Sequence, residues 1–70
     1  MKEYVINRVF VFRKQKEVTQ EVLGEKIGVT RQTVIAIEKG NYTPSVILAL
    51  KIAKFFKRKV EEVFNLQYEE

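Results

Sequence analysis

Hydrophobic residues recur at helical spacing along most of the chain. The clearest example is "VILALKIAKFF", where the spacing i, i+3, i+4, i+7 predicts an apolar face made of Val46, Ala49, Leu50 and Ala53. The segments "NRVFVFRKQK", "QEVLGEK", "RQTVIAIEK" and "VEEVF" indicate four more helices, joined by short turns. Without a linker or an internal repeat, the pattern predicts one five-helix domain over residues 1–70.

The residues between these segments are typical of helix boundaries. Thr19, Thr30 and Ser45 carry hydroxyl groups, which are favoured at N-caps because they accept a hydrogen bond from a free backbone N–H of the first turn. Gly28 and Gly40 stand where helices commonly end in a left-handed conformation. These five positions set the expected limits of the middle helices.

The limits of the first and last helices are less regular. Asn7 is the expected N-cap of the first helix, yet "VFVF" alternates like a strand, and β-branched and aromatic residues favour one. The basic run that follows favours a helix. Lys57 stands where a glycine is expected after the fourth helix, and Lys59 stands where a Ser or Thr cap is expected.

The two ends of the chain share a different pattern. "KEYVI" and "FNLQY" are rich in residues that favour strands, and Phe64, Leu66 and Tyr68 alternate with polar residues. We expect these segments to pair as a two-stranded antiparallel ribbon, which has to pack on something because an isolated hairpin is marginal in water. The alternative is that both segments are frayed tails.

Composition narrows the possible functions. The sequence has no His, Cys or Asp and a single Ser, so it lacks most side chains used in acid–base and nucleophilic catalysis and the usual metal ligands. This argues against an enzyme and predicts neither a metal nor a cofactor. The net charge of +4 is compatible with a polyanionic partner. No apolar run approaches the ~20 residues that span a bilayer, and the lack of cysteine fits a reducing cytoplasm.

A helical wheel of residues 30–39 separates two faces. One is a core face, and it holds Thr30, Val34 and Ile37, with Glu38 at its margin. The opposite face is mixed, and it holds Gln32, Ile35, Ala36 and Lys39. Arg31 projects from the first turn. The polar tip of this helix is therefore predicted to point away from the core.

The residues at this tip match the chemistry of base recognition. Arg31 and Gln32 lie at a helix N-terminus, where free N–H groups and the helix dipole also favour anions. Arginine can bond bidentately to guanine and glutamine to adenine, and Ile35 can touch a thymine methyl group. Ala36 adds little bulk to a helix that enters a groove only about 12 Å wide. The alternative is that Arg31 and Gln32 are ordinary solvated residues.

In this interpretation, residues 20–39 form a helix–turn–helix unit. Gly28 lies in the tight turn, and Gly24 allows the two helices to approach closely. The small core that the helices share is expected to consist of Leu23, Ile27, Val34 and Ile37.

Together these segments resemble the Cro/CI-type helix-turn-helix regulators, also called the xenobiotic-response-element family. "TQEVLGEKIGVTRQTVIAIEKGNYTPS" is similar to the family's core motif, and "LALKIAKFF" with "VEEVF" resembles its last two helices, so that the resemblance covers residues 7–66. It implies an all-α, five-helix, lambda-repressor-like DNA-binding domain. "YVIN" and "FNLQ" resemble the ends of small dimeric repressors in the family, which form an antiparallel ribbon.

The resemblance also implies roles for individual residues. Those that face the bases are Arg31, Gln32, Ile35 and Ala36. Those that lie near backbone phosphates are Gln20, Thr33, Lys39, Asn41 and Tyr42. Arg13 pairs with Glu38 in an ion pair that is mostly buried in the family. Six positions depart from the family pattern. Gly24 is usually alanine, and Val22 replaces the Glu that completes a capping box with Thr19. The other four are apolar where family members often carry polar residues, namely Phe10, Val11, Ile35 and Ile47.

The sequence therefore predicts a cytoplasmic, DNA-binding transcriptional regulator that acts as a repressor. Because one helix reads too few base pairs to select a site from a genome, we expect a homodimer on a near-palindromic operator. The interface is assigned to the last helix and the residues after it, namely Val60, Val63, Phe64 and Leu66. Neither a small-molecule ligand nor a membrane partner is expected. The alternative is an antitoxin-like or other protein-binding module on the same fold.

Overall fold

Helices make up most of the computed structural model, which describes residues 2–70. In chain order the elements are β1 (Lys2–Asn7), α1 (Val9–Gln15), α2 (Gln20–Ile27), α3 (Arg31–Glu38), α4 (Val46–Phe56), α5 (Val60–Val63) and β2 (Phe64–Glu69). All four residues of "VFVF" lie at the start of α1, so the strand alternative for that stretch is wrong. Within residues 2–70, no helix has the length and apolar character needed to cross a membrane.

The all-α class expected from the sequence is wrong. Two six-residue strands pair with each other, and the chain is about 55% helix and 17% strand. The fold is therefore a mixed one, with five helices and a two-stranded ribbon among the described residues. The physical reason is that β-branched and aromatic residues alternate at both ends of the chain, which favours a ladder there over further helix.

The ribbon is regular along its whole length. β1 and β2 pair antiparallel without a break, from Lys2 opposite Glu69 to Asn7 opposite Phe64. The frayed-tail alternative is therefore wrong. At its inner end, Phe64 packs against the hydrophobic core, whereas β1 is exposed from Lys2 to Ile6. The outer part of the ribbon thus has solvent on both faces.

The three central helices begin and end as the sequence predicts. The hydroxyl oxygens of Thr19, Thr30 and Ser45 each accept a hydrogen bond from the backbone N–H three residues later, at 3.1, 3.2 and 3.2 Å. Gly28 and Gly40 have φ angles of +80° and +81°, in the left-handed region that side chains with a Cβ rarely adopt. Local chemistry alone therefore fixes these limits.

The first helix begins one residue later than expected. Asn7 is the last residue of β1, and the N-cap position belongs to Arg8, whose side chain makes no capping hydrogen bond. Asn7 still contributes, because its side-chain oxygen accepts the N–H of Val9 at 3.1 Å. The strand ladder holds the backbone of Asn7 extended, and its short side chain reaches forward to the helix.

One hydrophobic cluster joins all five helices. Its buried members are Val9, Phe12, Leu23, Ile27, Val34, Ile37, Leu48, Ile52, Ala53, Phe56 and Val63. The cluster includes the four residues predicted to form the shared core of α2 and α3. The rings of Phe12 and Phe56 are tilted against each other with their centroids 5.9 Å apart, which joins α1 to α4.

The buried face of α4 differs from the predicted one. Val46 and Leu50, which were expected to face the core, are 76% and 52% exposed, whereas Leu48 and Ile52 are buried. Ala53 is buried as expected. The reason is that α4 is apolar on nearly every side, so hydrophobic spacing alone does not select the face that packs.

Lys57 ends α4 in a left-handed conformation, with φ +56° and ψ +42°. Its N–H donates to the carbonyl of Lys54 at 3.0 Å, and the N–H of Arg58 donates to the carbonyl of Ala53 at 3.0 Å. The carbonyl groups of Ala53 and Lys54 at the end of α4 are therefore hydrogen-bonded in the same way as at a helix that ends in a left-handed glycine. A residue with a Cβ is disfavoured here by about 1–2 kcal/mol, whereas glycine adopts this conformation freely.

Lys57→Gly is expected to raise the free energy of unfolding by about 1 kcal/mol, because glycine removes the steric cost of the left-handed backbone. Lys54→Gly is the matched control: this exposed lysine lies in regular helix, where the same change should lower the free energy of unfolding by about 1 kcal/mol. Urea-denaturation curves measure both effects. Equal losses in the two variants would contradict the left-handed assignment of Lys57.

Candidate nucleic-acid interface

The turn between α2 and α3 packs closely against α2. A Cβ placed on Gly24 would lie 2.8 Å from the carbonyl oxygen of Val29 and 3.3 Å from backbone atoms of Thr30. The N–H of Val29 in turn donates to the carbonyl of Gly24 at 2.9 Å. In this chain a methyl group at position 24 therefore requires the turn to shift. The contact fixes the direction in which α3 leaves α2.

α3 buries one side and exposes its N-terminal tip. Val34 and Ile37 are each 1% exposed and face the core. Arg31 and Gln32 are exposed, and within residues 2–70 no hydrogen bond from the chain engages either side chain. Both side chains are thus free to reach a partner, while the back of the same helix is clamped by the protein.

The residues assigned to base contact share one side of α3. At 100° per residue, positions 31, 32, 35 and 36 fall within about 140° of the helix surface. Arg31 and Gln32 are exposed, and Ile35 and Ala36 are half-buried. The four residues therefore lie together on one side of α3. The two polar side chains, Arg31 and Gln32, extend from its N-terminus, and the apolar Ile35 and Ala36 lie one turn further along the helix. Unpaired N–H groups at this helix end add positive potential.

Three of the residues assigned to phosphate contact follow α3. Lys39, Asn41 and Tyr42 are exposed in the segment that leads to α4. The N–H of Asn41 donates to the carbonyl of Ala36 at 2.9 Å, so this segment is anchored to the last turn of α3. A cation, an amide and a phenol thus stand beside the same helix.

Two other residues of the phosphate set already have partners in the chain. The hydroxyl of Thr33 lies 3.2 Å from that of Thr30. The Gln20 side-chain amide donates to Glu38 at 3.1 Å. Each side chain keeps further hydrogen-bonding capacity, because a hydroxyl has several sites and an amide has a second N–H and an oxygen.

Arg13 and Glu38 form a buried ion pair behind this surface. Arg13 Nε donates to Glu38 Oε2 at 2.7 Å and Nη2 donates to Oε1 at 3.1 Å, and the two side chains are 9% and 7% exposed. Arg13 Nη1 also donates to the carbonyl of Val18 at 3.0 Å. Among the described residues, no buried side-chain nitrogen or oxygen lacks a partner. The pair joins α1 to the C-terminal end of α3.

The residues assigned to a dimer interface do not form one exposed surface. Val63 has no exposed area and packs in the core, so its assignment to the interface is wrong: the short helix α5 turns this residue inwards. Val60 and Phe64 are half-buried against the core, and Leu66 on β2 is 53% exposed. The apolar surface available in this region therefore lies on the ribbon rather than on α5.

One residue has a long-range role that sequence reasoning missed. Asn7 was expected only as a helix cap, yet its Nδ2 donates to the carbonyl of Ile37 in α3 at 2.9 Å. No local pattern signals this bond, because its acceptor is a backbone carbonyl on a distant helix. The site otherwise holds donors and cations suited to binding. In the part of the chain that the structure describes, no cluster of side chains could hold a metal ion.

Comparison with known families identifies the class of protein that this geometry defines. Residues 12–63 match the family described as "Helix-turn-helix". The matched span contains α2, α3, α4 and α5 and most of the buried core. Because it covers more than half of the sequence, the chain belongs to the helix-turn-helix family.

Proteins of similar sequence occur in bacteria and archaea. YgzD of Bacillus subtilis, an uncharacterized HTH-type transcriptional regulator, is 57% identical over 63 residues, which are 90% of this chain and 96% of the relative. An uncharacterized HTH-type transcriptional regulator of Methanocaldococcus jannaschii is 52% identical over 64 residues, 91% of this chain and 97% of the relative. A crystallised protein from Bacteroides fragilis shares the fold, with a TM-score of 0.79 over 87% of this chain and 98% of its own at 23% identity.

Glu38→Gln is expected to lower the free energy of unfolding by about 3 kcal/mol or more, because it leaves the buried guanidinium of Arg13 without a counter-charge. Glu62→Gln is the matched control. Glu62 Oε2 lies 3.6 Å from Arg58 Nη1, and both side chains are about 45% exposed. Exposed ion pairs of this kind contribute about 0–1 kcal/mol to the free energy of unfolding. Chemical denaturation followed by circular dichroism measures both. If Glu38→Gln lowered the free energy of unfolding by only about 0–1 kcal/mol, as expected for the control, the buried pair would be dispensable for stability.

Proposed function

We propose that this protein is a transcriptional repressor of the Cro/CI type, which binds a near-palindromic DNA operator as a homodimer. The observation that carries the proposal is the arrangement of α3. Its apolar back is buried at Val34 and Ile37, while Arg31 and Gln32 stand exposed at its N-terminus without partners in the described chain. A helix held in this way can present side chains to the major groove of DNA.

The proposed contacts to bases follow from hydrogen-bonding geometry. Arg31 has the paired donors that match guanine O6 and N7, and Gln32 has the donor and acceptor that match adenine N6 and N7. Ile35 is half-buried and offers apolar surface to a thymine methyl group. Ala36 keeps the helix narrow where it enters the groove. These four side chains read sequence in the proposal.

The proposed contacts to phosphates supply affinity that does not depend on sequence. The residues proposed to contact phosphates are Gln20, Thr33, Lys39, Asn41 and Tyr42. The overall charge of +4 supports attraction to a polyanion. Binding is therefore expected to weaken with salt, with a log–log slope of about −0.9 for each phosphate that is neutralised.

The ribbon supports the proposed dimer. A two-stranded ribbon alone is marginal in water, and the face of this ribbon that carries Leu66 also carries Val5 and Tyr68. Leu66, Val5 and Tyr68 are 53%, 37% and 53% exposed. We assign the interface to this face of the ribbon, namely Leu66, Val5 and Tyr68, with Phe64 and Val60 at the inner margin. A second copy that packs there buries this surface.

Repression in this proposal comes from occupancy. Two copies of α3 enter successive major grooves about 34 Å apart, and the bound dimer excludes other proteins from the same DNA. Since the proposed ligand is DNA and the relatives named above come from a bacterium and an archaeon, which are cells without a nucleus, the proposed working compartment is the cytoplasm.

Arg31→Ala is expected to weaken binding to a selected duplex by about 1–3 kcal/mol and to relax the preference at one base position, because a bidentate base contact is lost. The selected duplex is obtained from a random library with the wild-type protein. Lys51→Ala is the control: this exposed lysine on α4 lies outside the proposed contact set, and its loss should leave base preference unchanged.

Two results would contradict the assigned role of Arg31. If Arg31→Ala weakened every duplex equally, the residue would contact phosphate and not bases. If the wild-type protein gave no footprint on any DNA but recovered a stoichiometric protein partner, the antitoxin-like alternative would replace the repressor.

Leu66→Glu is expected to convert the dimer into monomers at micromolar concentration, because it places a charge in the proposed interface. Ile47→Glu is the matched control, since Ile47 on α4 is 69% exposed and lies outside that interface. Sedimentation velocity measures the oligomeric state of all three proteins. A wild-type protein that sediments only as a monomer would count against the dimer, and a monomeric Ile47→Glu variant would move the interface to α4.

A further inference from the structure

Asn7 lies at the inner end of β1, where the ribbon meets the helices. It is half-buried, and its side-chain amide makes two hydrogen bonds in different directions. Oδ1 accepts the N–H of Val9 in α1 at 3.1 Å, and Nδ2 donates to the carbonyl of Ile37 in α3 at 2.9 Å. One side chain therefore connects the ribbon both to the first helix and to the helix that carries the exposed tip.

The carbonyl that Asn7 binds belongs to the last turn of α3. Carbonyls in the last turn of a helix lack partners within the helix and have to find them elsewhere. Ile37 receives the N–H of Gly40 at 3.0 Å as well as the amide of Asn7. The next residue, Glu38, is held by Arg13 at 2.7 Å. The C-terminal end of α3 is thus fixed from two sides by two different elements.

The opposite end of α3 carries the side chains that are proposed to read bases. An eight-residue helix is about 12 Å long, so a small tilt at its C-terminal end displaces its N-terminal end. Hydrogen bonds to base edges require donor–acceptor distances of about 2.7–3.2 Å and good alignment. Charge-based phosphate contacts tolerate more displacement. A change in tilt therefore affects discrimination between sequences more than overall attraction to DNA.

We propose that Asn7 is a positioning residue through which the terminal ribbon sets the orientation of α3 and thereby the sequence discrimination of the protein. This inference rests on the DNA-binding function proposed above. It implies that any partner of the ribbon, including the ribbon of a second copy, also stabilises the orientation of α3. By thermodynamic linkage, binding of specific DNA stabilises the ribbon by the same factor.

Asn7→Asp tests the bond to α3 separately from the bond to α1. The introduced carboxylate keeps the acceptor for the N–H of Val9, but it places a second acceptor against the carbonyl of Ile37 where a donor stood. Asn65→Asp is the matched control. Asn65 is half-buried on β2 opposite Ile6, on the other face of the ribbon from Leu66, so it lies outside the proposed interface. No hydrogen bond of its side chain occurs within residues 2–70.

The affinity of each protein is measured for two duplexes at a temperature well below its unfolding midpoint. One duplex is selected from a random library by the wild-type protein, and the other has a random sequence of the same length. The ratio of the two affinities is expected to fall about two- to tenfold in Asn7→Asp, the size of one net hydrogen bond. In Asn65→Asp the ratio should stay unchanged. Binding to the random duplex should weaken equally in both variants, since each gains one negative charge.

Amide hydrogen exchange supplies a second readout that needs no DNA. Gly40 donates to the same carbonyl of Ile37, so its protection is expected to fall several-fold in Asn7→Asp relative to that of Ile52 in the core. Asn65→Asp should leave this ratio unchanged. Should Asn7→Asp fail to fold, Asn7→Ala is compared with Asn65→Ala in the same two measurements.

Two outcomes would overturn the inference. One is a lower unfolding midpoint in Asn7→Asp with the affinity ratio and the protection of Gly40 both unchanged, which would make Asn7 purely structural. The other is an equal loss of discrimination in Asn7→Asp and Asn65→Asp, which would make charge the cause. If the wild-type protein selects no duplex, the repressor function itself fails, and exchange at Gly40 alone decides whether Asn7 holds α3.

Discussion

The arrangement of the helices depends on a buried pair of charges that accept one geometry. Arg13 and Glu38 are both almost fully buried, and a buried charge without its partner destabilises a fold by several kcal/mol. The carbonyl of Val18 accepts a further hydrogen bond from Arg13, and the side-chain amide of Gln20 donates one to Glu38. Hydrophobic packing has no preferred direction, whereas the hydrogen bonds of this network require particular distances and angles. The network therefore fixes α1, the start of α2 and the end of α3 against one another in a domain with a small core.

This constraint separates the two ends of α3 by role. Its C-terminal end is held by the ion pair and by the amide of Asn7, and the turn before its N-terminus is held by the backbone contact at Gly24. Nothing within the described chain bonds to the side chains of Arg31 and Gln32. Recognition of base edges requires a helix that is held rigidly while its polar side chains remain free. The orientation of such a helix is already fixed before the ligand binds.

The sequence predicted the features that local chemistry decides. The caps at Thr19, Thr30 and Ser45 and the pairing of the two ends could be recognised, because each depends on neighbouring residues or on simple alternation. Features that depend on the whole fold could not. The spacing rule chose the wrong face of α4, since that helix is apolar on nearly every side. It also could not show that Val63 points into the core or that the Asn7 amide reaches a distant helix.

The pairing of β1 with β2 has a consequence for the order of folding. These strands stand at opposite ends of the chain, so they meet only after the helices between them have brought both ends to one place. Contacts between residues so far apart in sequence form slowly compared with those inside a helix. With solvent on both faces of its outer part, the ribbon is also the segment where fraying starts. In a single copy of the protein, opening at these strands is therefore expected to precede global unfolding.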